Sequence, residues 1–540
     1  MVFTSYAFLG FLALVFVLYY LVPKRIQAPL LLVASLVFYA FSGIQNLAYI
    51  LAVILITYVA ALQIGKVHEE QKAYLKANKE TLDRDAKKKY REEKTKIRKR
   101  ITALALILDL GILAVVKYAD FAIKNINQIL QATGSDRQMS LLGILLPMGI
   151  SFFTLQAIGY LIDVYRDAYA PEKSLWKFAL FISFFPQLVQ GPIARFDRLG
   201  KTLYGPHAFS GEQFAKGLQR ILWGFFKKLV IADRLFSLVG TVTDPKAAGT
   251  YGGMTMFLCM VLYTLELYAD FTGGIDVTIG VAQALGIELE ENFKLPYFST
   301  SIKEYWRRWH ITMCGWFRDY LFYPVSTSFF MKAFSKFAKN HLGAKVGKRL
   351  PVYVSSFIVW FATGIWHGAN WNFVVWGLCN WAILMISEEF EPLYDRFHEK
   401  CGFAAGKVYN AFMILRTFFL VCVMNLFDCY ATLGETFRAF LSIFTPGHQG
   451  LFTDGLILQL GLSLKDYIIA GVALLIVWIV ALIQRKEERK GEEGRSVRDR
   501  IAALPYGARA AIWFGLFLLV LLFGQYGIGY DSSQFIYNRF

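Results

Sequence analysis

Polar and apolar positions in this chain alternate on a long scale. Runs such as "FLGFLALVFVLYYLV", "LAYILAVILITYVAAL", "DYIIAGVALLIVWIVALI" and "AIWFGLFLLVLLFG" approach the roughly 20 residues that cross a bilayer as a helix. Nine to twelve such segments can be counted, several of them short or broken by polar residues. The pattern predicts an all-α polytopic membrane protein, with re-entrant or interfacial helices between the spans. The stretch 285–350 departs from it. "SIKEYWRRWHITMCGWFRDYLFYPV" is amphipathic and crowded with Trp, Arg and Tyr. Polar or irregular backbone at membrane depth is tolerated only inside protein or beside a water-filled cavity, so this region reads as interfacial or re-entrant. "FFPQLVQGPIARF" (184–196) carries two prolines and two glutamines, which predicts a broken helix lining a cavity.

Composition and charge sharpen this picture. The 540 residues are 56% hydrophobic and 18% charged, less charge than a soluble domain of this size carries. The net charge of +17 is concentrated. Lys24 and Arg25 follow the first span. The segment 66–100 holds 14 basic and 7 acidic residues, and "RKEERKGEEGRSVRDR" (485–500) precedes the last span. The positive-inside rule puts all three in the cytoplasm and both termini outside. The first apolar run has no basic region before it and no small-x-small site after it, so it reads as an anchor rather than a cleaved signal. The 66–100 segment has mixed charge at helical spacing. It predicts a cytoplasmic helical hairpin, or extensions of the flanking helices, able to meet anionic lipid headgroups. No internal repeat or soluble second domain is evident, so residues 1–540 read as one membrane-embedded domain with charged loops at 66–100 and 485–500. Six cysteines lie mostly in apolar spans without a CxxC, and read as small buried hydrophobes.

The candidate chemistry lies in the apolar part. Of seven histidines, only His310 ("RRWHIT") and His367 ("GIWHGANWNF") sit among aromatic and apolar neighbours. A single such histidine is commonly a hydrogen-bonded core residue. Two, each preceded by Trp, point to proton handling, because ionisable residues in spans are costly and imidazole titrates near neutrality. His367 lies some 18 residues after Lys348 and Arg349, roughly 27 Å of helix. With Gly368 and Asn370 following, it falls at the tip of a predicted helical hairpin. "YTLELYADFTGGID" places Glu266 and Asp270 one turn apart, with Asp276 beyond two glycines. These acids either satisfy buried ion pairs, orient a histidine, pair with Arg307, Arg308 or Arg318, or conduct ions. No phosphate loop, dinucleotide fingerprint, HExxH or GxSxG occurs, and neither a metal nor nucleic acid is expected.

"YADFTGGIDVTIGVAQALGIELEENFKLPYFSTSIKEYWRRWHITMCGWFRDYLFYPV" followed by "TGIWHGANWNFVVWGLCNW" resembles the membrane-bound O-acyltransferase (MBOAT) family. The likeness is to its bacterial branch of alginate and peptidoglycan O-acetylases and the teichoic-acid D-alanyl transfer protein. "PMGISFFTLQAIGYLIDVYR", "FISFFPQLVQGPIARF" and the C-terminal "FIYNRF" look like further family blocks. The resemblance implies helices packed around a central tunnel through a thinned membrane. It also implies acyl transfer from a cytoplasmic thioester, acetyl-CoA or an acyl carrier protein, to a hydroxyl, with no bound cofactor. By the resemblance, His367 matches the family's essential histidine and His310 its second motif residue. Asp319, Asn370, Asp270, Trp366, Arg318 and Gln187 would position donor or acceptor. Gln187 stands where alginate-type relatives often carry His, and "STSFFMKAFSKFAKNHLGAKVGKRL" replaces a Gly-rich turn. A cell-wall or exopolysaccharide acceptor therefore fits better than alginate specifically. The resemblance further implies a bacterial plasma-membrane location and a secreted or membrane-tethered transferase partner. D-alanyl transfer to teichoic acid is the alternative acyl reaction. A proton-coupled transporter using His310, His367 and Asp270 is the alternative class.

Overall fold

The computed structural model describes residues 3–247, 249–402, 406–445, 451–491 and 494–526. The C-terminal "FIYNRF" and His448 lie outside them. The chain is built of helices, as the long apolar runs predict. Among the described residues, eight are long and apolar enough to cross a membrane, and two more, Tyr6–Leu21 and Ile150–Tyr165, are apolar but shorter. The chain divides into two compact units, residues 1–214 with 281–290, and residues 215–280 with 291–540.

In the first unit, α1 (Tyr6–Leu21) turns through Val22 and Pro23 into α2 (Lys24–Ala40). The long helices α3 (Leu47–Ala77) and α4 (Arg84–Ala132) form an antiparallel pair. The buried Thr57 hydroxyl donates to the buried Asp109 carboxylate at 2.8 Å between them. The basic segment 66–100 is the extension of this pair beyond its apolar part. Lys94 reaches Glu70 at 2.9 Å, Arg98 reaches Gln71 at 2.7 Å, and the Tyr74 and Tyr90 rings stand 4.1 Å apart. Asp83 caps α4 by accepting from the Ala86 N–H, which sharpens the turn. The helix α5 (Ile150–Tyr165) is buried over nearly its whole length. Gly149 before it has φ 72°, and a Cβ there would overlap the Leu188 carbonyl. The "FFPQLVQGP" tract is the broken helix its prolines predict: α6 (Leu175–Ser183), one turn of α7 (Phe185–Leu188), then loop before α8 (Phe196–Leu203).

The second unit begins within α9 (Gly211–Phe225), which widens into a π-helical stretch, Phe226–Ala232, before α10 (Asp233–Thr243). The helix α11 (Gly253–Ala284) runs against α9 at backbone distance, because Gly217 and Gly224 face Gly280 and Gly273. The π stretch turns Lys227 and Lys228 inward, and both are buried. Lys228 pairs with Asp233 at 2.8 Å and Asp270 at 2.5 Å. Lys227 pairs with Asp276 at 2.7 Å, which also meets Arg220 at 2.9 Å. Asp270 and Asp276 are thus held by lysines and Arg220, while Arg308 goes to Glu304 and Glu488, and Arg318 to Asp319.

Short helices follow: α12 (Ile302–Arg308), α13 (Ile311–Phe317), a second π turn at Arg318–Phe322, and α14 (Tyr323–Ser326). They are the amphipathic stretch that is too polar to span freely. Next come α15 (Phe329–Leu342), α16 (Ala344–His367), α17 (Trp371–Lys400) and α18 (Lys407–Cys429). The unit ends with α19 (Leu433–Ser442), α20 (Leu464–Glu488), α21 (Val497–Ala502) and α22 (Tyr506–Phe523). All six cysteines are free thiols, two buried and four half-buried.

Candidate active site

The hairpin of α16 and α17 carries His367 at its tip. A three-residue link, Gly368 to Asn370, joins the helices, and Asn370 caps α17 by accepting from the Asn372 N–H at 3.0 Å. Two glycines set how closely the helices pack. A Cβ on Gly364 would overlap the Phe373 carbonyl, and one on Gly377 would overlap the Trp360 carbonyl. Farther from the tip, the Trp381 indole donates to the Tyr353 carbonyl at 3.1 Å, and Arg349 with Tyr353 binds Glu389. The register is therefore pinned along the hairpin, and His367 leaves α16 at a fixed height.

Aromatic rings enclose that imidazole. Trp376 meets it edge-on at 4.8 Å, Trp366 at 5.1 Å, and Phe373 stacks at 6.4 Å. Trp366 also touches His310, at 5.9 Å, so one indole lies against both histidines. His310 is fully buried and has φ 48° and ψ 50°. This left-handed conformation costs most L-residues about 1–2 kcal/mol, and it breaks the chain between α12 and α13. Phe271 of α11 lies edge-on to the ring at 5.0 Å, and Asn292 places its Nδ2 3.3 Å from Nδ1.

A cavity of about 60 Å³ opens beside these groups. Its walls include Phe271, Trp306, Trp309, Trp376, His367 and Asp428. Its polar groups are held. The Trp306 indole donates to Asn380 Oδ1 at 3.2 Å, Asn425 donates to the Thr264 hydroxyl at 3.2 Å, and the Tyr263 hydroxyl donates to Asp428. An apolar chamber with a few fixed polar groups and an imidazole can orient a small reactant, exclude water and take up a proton. Among the described residues, no cluster of three or more His, Cys, Asp or Glu is placed to hold a metal ion.

The other expected site residues fall in several places. Trp366 is the indole shared by the two histidines. Asn370 is the cap of α17, and its Nδ2 donates to the Ala431 carbonyl at 2.9 Å. Arg318 and Asp319 pair with each other at 2.8 Å on the second π turn. Asp270 is in the lysine network. Gln187 belongs to the first unit, where its amide donates to the Phe181 carbonyl at 3.1 Å and Gln156 at 3.3 Å. Asn292, Trp306, Asn380, Asn425 and Asp428 escaped the sequence reading. Asp428 sits within the apolar run "FFLVCVMNLFDC", a signal of the same kind as that of Asp270.

The description "MBOAT, membrane-bound O-acyltransferase family" matches residues 166–432. A protein named probable alginate O-acetylase from Azotobacter vinelandii is 35% identical over 382 residues, 70% of this chain and 66% of that protein. One of the same name from Pseudomonas aeruginosa is 30% identical over 507 residues, 93% of this chain and 86% of that protein. The peptidoglycan O-acetyltransferase of Helicobacter pylori is 29% identical over 422 residues, 72% of this chain and 70% of that protein. The matched block holds both histidines, the aromatic chamber and the paired hairpin, and the chain belongs to the membrane-bound O-acyltransferase family as a multi-pass membrane enzyme that transfers acyl groups to oxygen.

Proposed function

We propose that this protein takes an acetyl group from a thioester on the cytoplasmic side and delivers it to a hydroxyl of an extracytoplasmic polysaccharide, or of a partner transferase that modifies one. The observation that carries the reading is the placement of His367 at the tip of the hairpin, in the wall of the aromatic chamber and one indole away from His310. The hydroxyl oxygen attacks the thioester carbonyl carbon while His367 accepts the hydroxyl proton. A C–O bond forms, and the carbonyl oxygen carries the negative charge of the tetrahedral intermediate. The C–S bond then breaks, and the thiolate leaves with the proton returned by His367, giving ester and free thiol. Such a positioned base contributes about 10²–10⁴-fold. The small chamber walled by three tryptophans favours a short acyl group. The basic extension at 66–100 and the basic 485–500 segment mark the cytoplasmic side in this reading. They suit either acidic donor, acetyl-CoA or an acyl carrier protein.

The test is ester release from the cell wall and exported polysaccharide of cells making wild type or His367→Ala, at matched membrane abundance, with the released acid identified. The reading predicts that acetate release depends on His367. Release of D-alanine instead would move the reaction to the alternative acyl group. Ester content unchanged in the variant would overturn the acyl-transfer role of His367.

A further inference from the structure

Asn292 is fully buried and lies between the end of α11 and α12, and no role was given to it above beyond its contact with His310. Its backbone is fixed, because its carbonyl accepts from the Ile311 N–H at 3.0 Å. Its side chain is fixed as well. Oδ1 accepts both the Thr312 backbone N–H and the Thr312 hydroxyl, each at 3.0 Å. A backbone N–H can only donate, so turning the amide over would set donor against donor. The amide is therefore oriented by the chain itself, and it is Nδ2 that faces His310 Nδ1 at 3.3 Å.

We infer that Asn292 is a positioning residue that fixes the tautomer of His310 and so divides the labour of the two histidines. Nδ2 donates, so Nδ1 must offer its lone pair, and the ring proton of neutral His310 resides on Nε2. A second proton on Nδ1 would face an N–H, so the imidazolium is opposed too. His310 is held as a neutral hydrogen-bond donor. In the acyl-transfer reaction, on which this inference rests, such a donor suits the developing oxyanion of the thioester carbonyl and is unsuited to taking the hydroxyl proton. That proton falls to His367. The edge-on rings of Phe271 and Trp366 and the left-handed backbone at His310 restrict the imidazole to this pose.

The decisive experiment is ¹⁵N NMR of the detergent-solubilised full chain labelled at histidine ring nitrogens. The His310 signals are identified by their loss in His310→Gln. The inference predicts at neutral pH a bare Nδ1 and a protonated Nε2, and in Asn292→Asp a protonated Nδ1. Proton on Nδ1, or on both nitrogens, in the wild type would overturn it. Kinetics add a second reading. Asn292→Asp lowers kcat about a hundredfold, as loss of one oxyanion donor does, with KM little changed. His310→Gln, whose amide can donate near the place of Nε2, retains turnover that His367→Gln lacks. Equal inactivity of the two Gln variants in folded protein would count against the donor role. The expected tautomer together with full ester transfer by His367→Ala would instead sink the base assignment and leave the tautomer inference standing.

Discussion

Two buried polar clusters in the second unit solve the same problem in opposite ways. Around the π stretch of residues 226–232, full charges are matched: Lys227, Lys228 and Arg220 against Asp233, Asp270 and Asp276. Around His310 and His367 the groups are imidazoles, amides and indoles, with the carboxylate of Asp428 hydrogen-bonded by Tyr263. A matched set of charges in a low-dielectric interior is locked, because moving one proton or one side chain leaves an uncompensated ion. A set of neutral hydrogen-bonding groups can accept a proton and return it. The first cluster holds α9, α10 and α11 in register; the second can take part in a reaction. Sequence patterning alone flags both, since each places ionisable residues in apolar surroundings.

Breaking each cluster should give different losses. Lys228→Met strips Asp233 and Asp270 of their shared cation, which costs about 3–5 kcal/mol of stability. It should appear as a large fall in the thermal midpoint of the solubilised protein, and wild-type melting would refute the structural role. His367→Ala should lower turnover about 10²–10⁴-fold while leaving melting nearly unchanged; purified protein assayed with a thioester donor decides this. Gly377→Ala tests the link between packing and chemistry. The added methyl overlaps the Trp360 carbonyl and pushes α17 from α16, so about 1–3 kcal/mol of stability should be lost together with activity. A variant that loses neither would detach the hairpin register from the site. The smallest effect belongs to the charged extension of α3 and α4. Lys94→Ala removes its contact with the half-exposed Glu70, and should leave melting and turnover nearly unchanged, because a solvent-screened ion pair contributes little.

Much of this was legible in the residues. The apolar runs gave the spans, the basic segment 66–100 gave an extension of two helices, and Gly368 with Asn370 gave the hairpin tip at His367. The two prolines of 184–196 gave the broken helix. What escaped has physical reasons. The partners of Asp270 and Asp276 are Lys227 and Lys228, some 45 residues earlier, and their inward turn depends on a π stretch that no periodicity announces. Of the arginines weighed from sequence, Arg308 is engaged by Glu304 and Glu488, and Arg318 by Asp319. Asn292 lies in a polar-looking loop, "LEENFKLP", and only the chain reversal at His310 folds it against that ring. Asn380 lies in α17, and Asn425 and Asp428 lie one turn apart in α18, where spacing along one helix says nothing of what faces it across the chamber.

The most direct test of the central claim is a paired measurement on His367→Ala and Lys228→Met in the same detergent preparation, reading thermal midpoint and acyl transfer from a thioester to a hydroxyl acceptor. The account predicts a crossed result: His367→Ala melts as wild type and transfers about 10²–10⁴-fold more slowly, and Lys228→Met melts far below wild type. A His367→Ala protein that melts normally and still transfers the acyl group at the wild-type rate would contradict it.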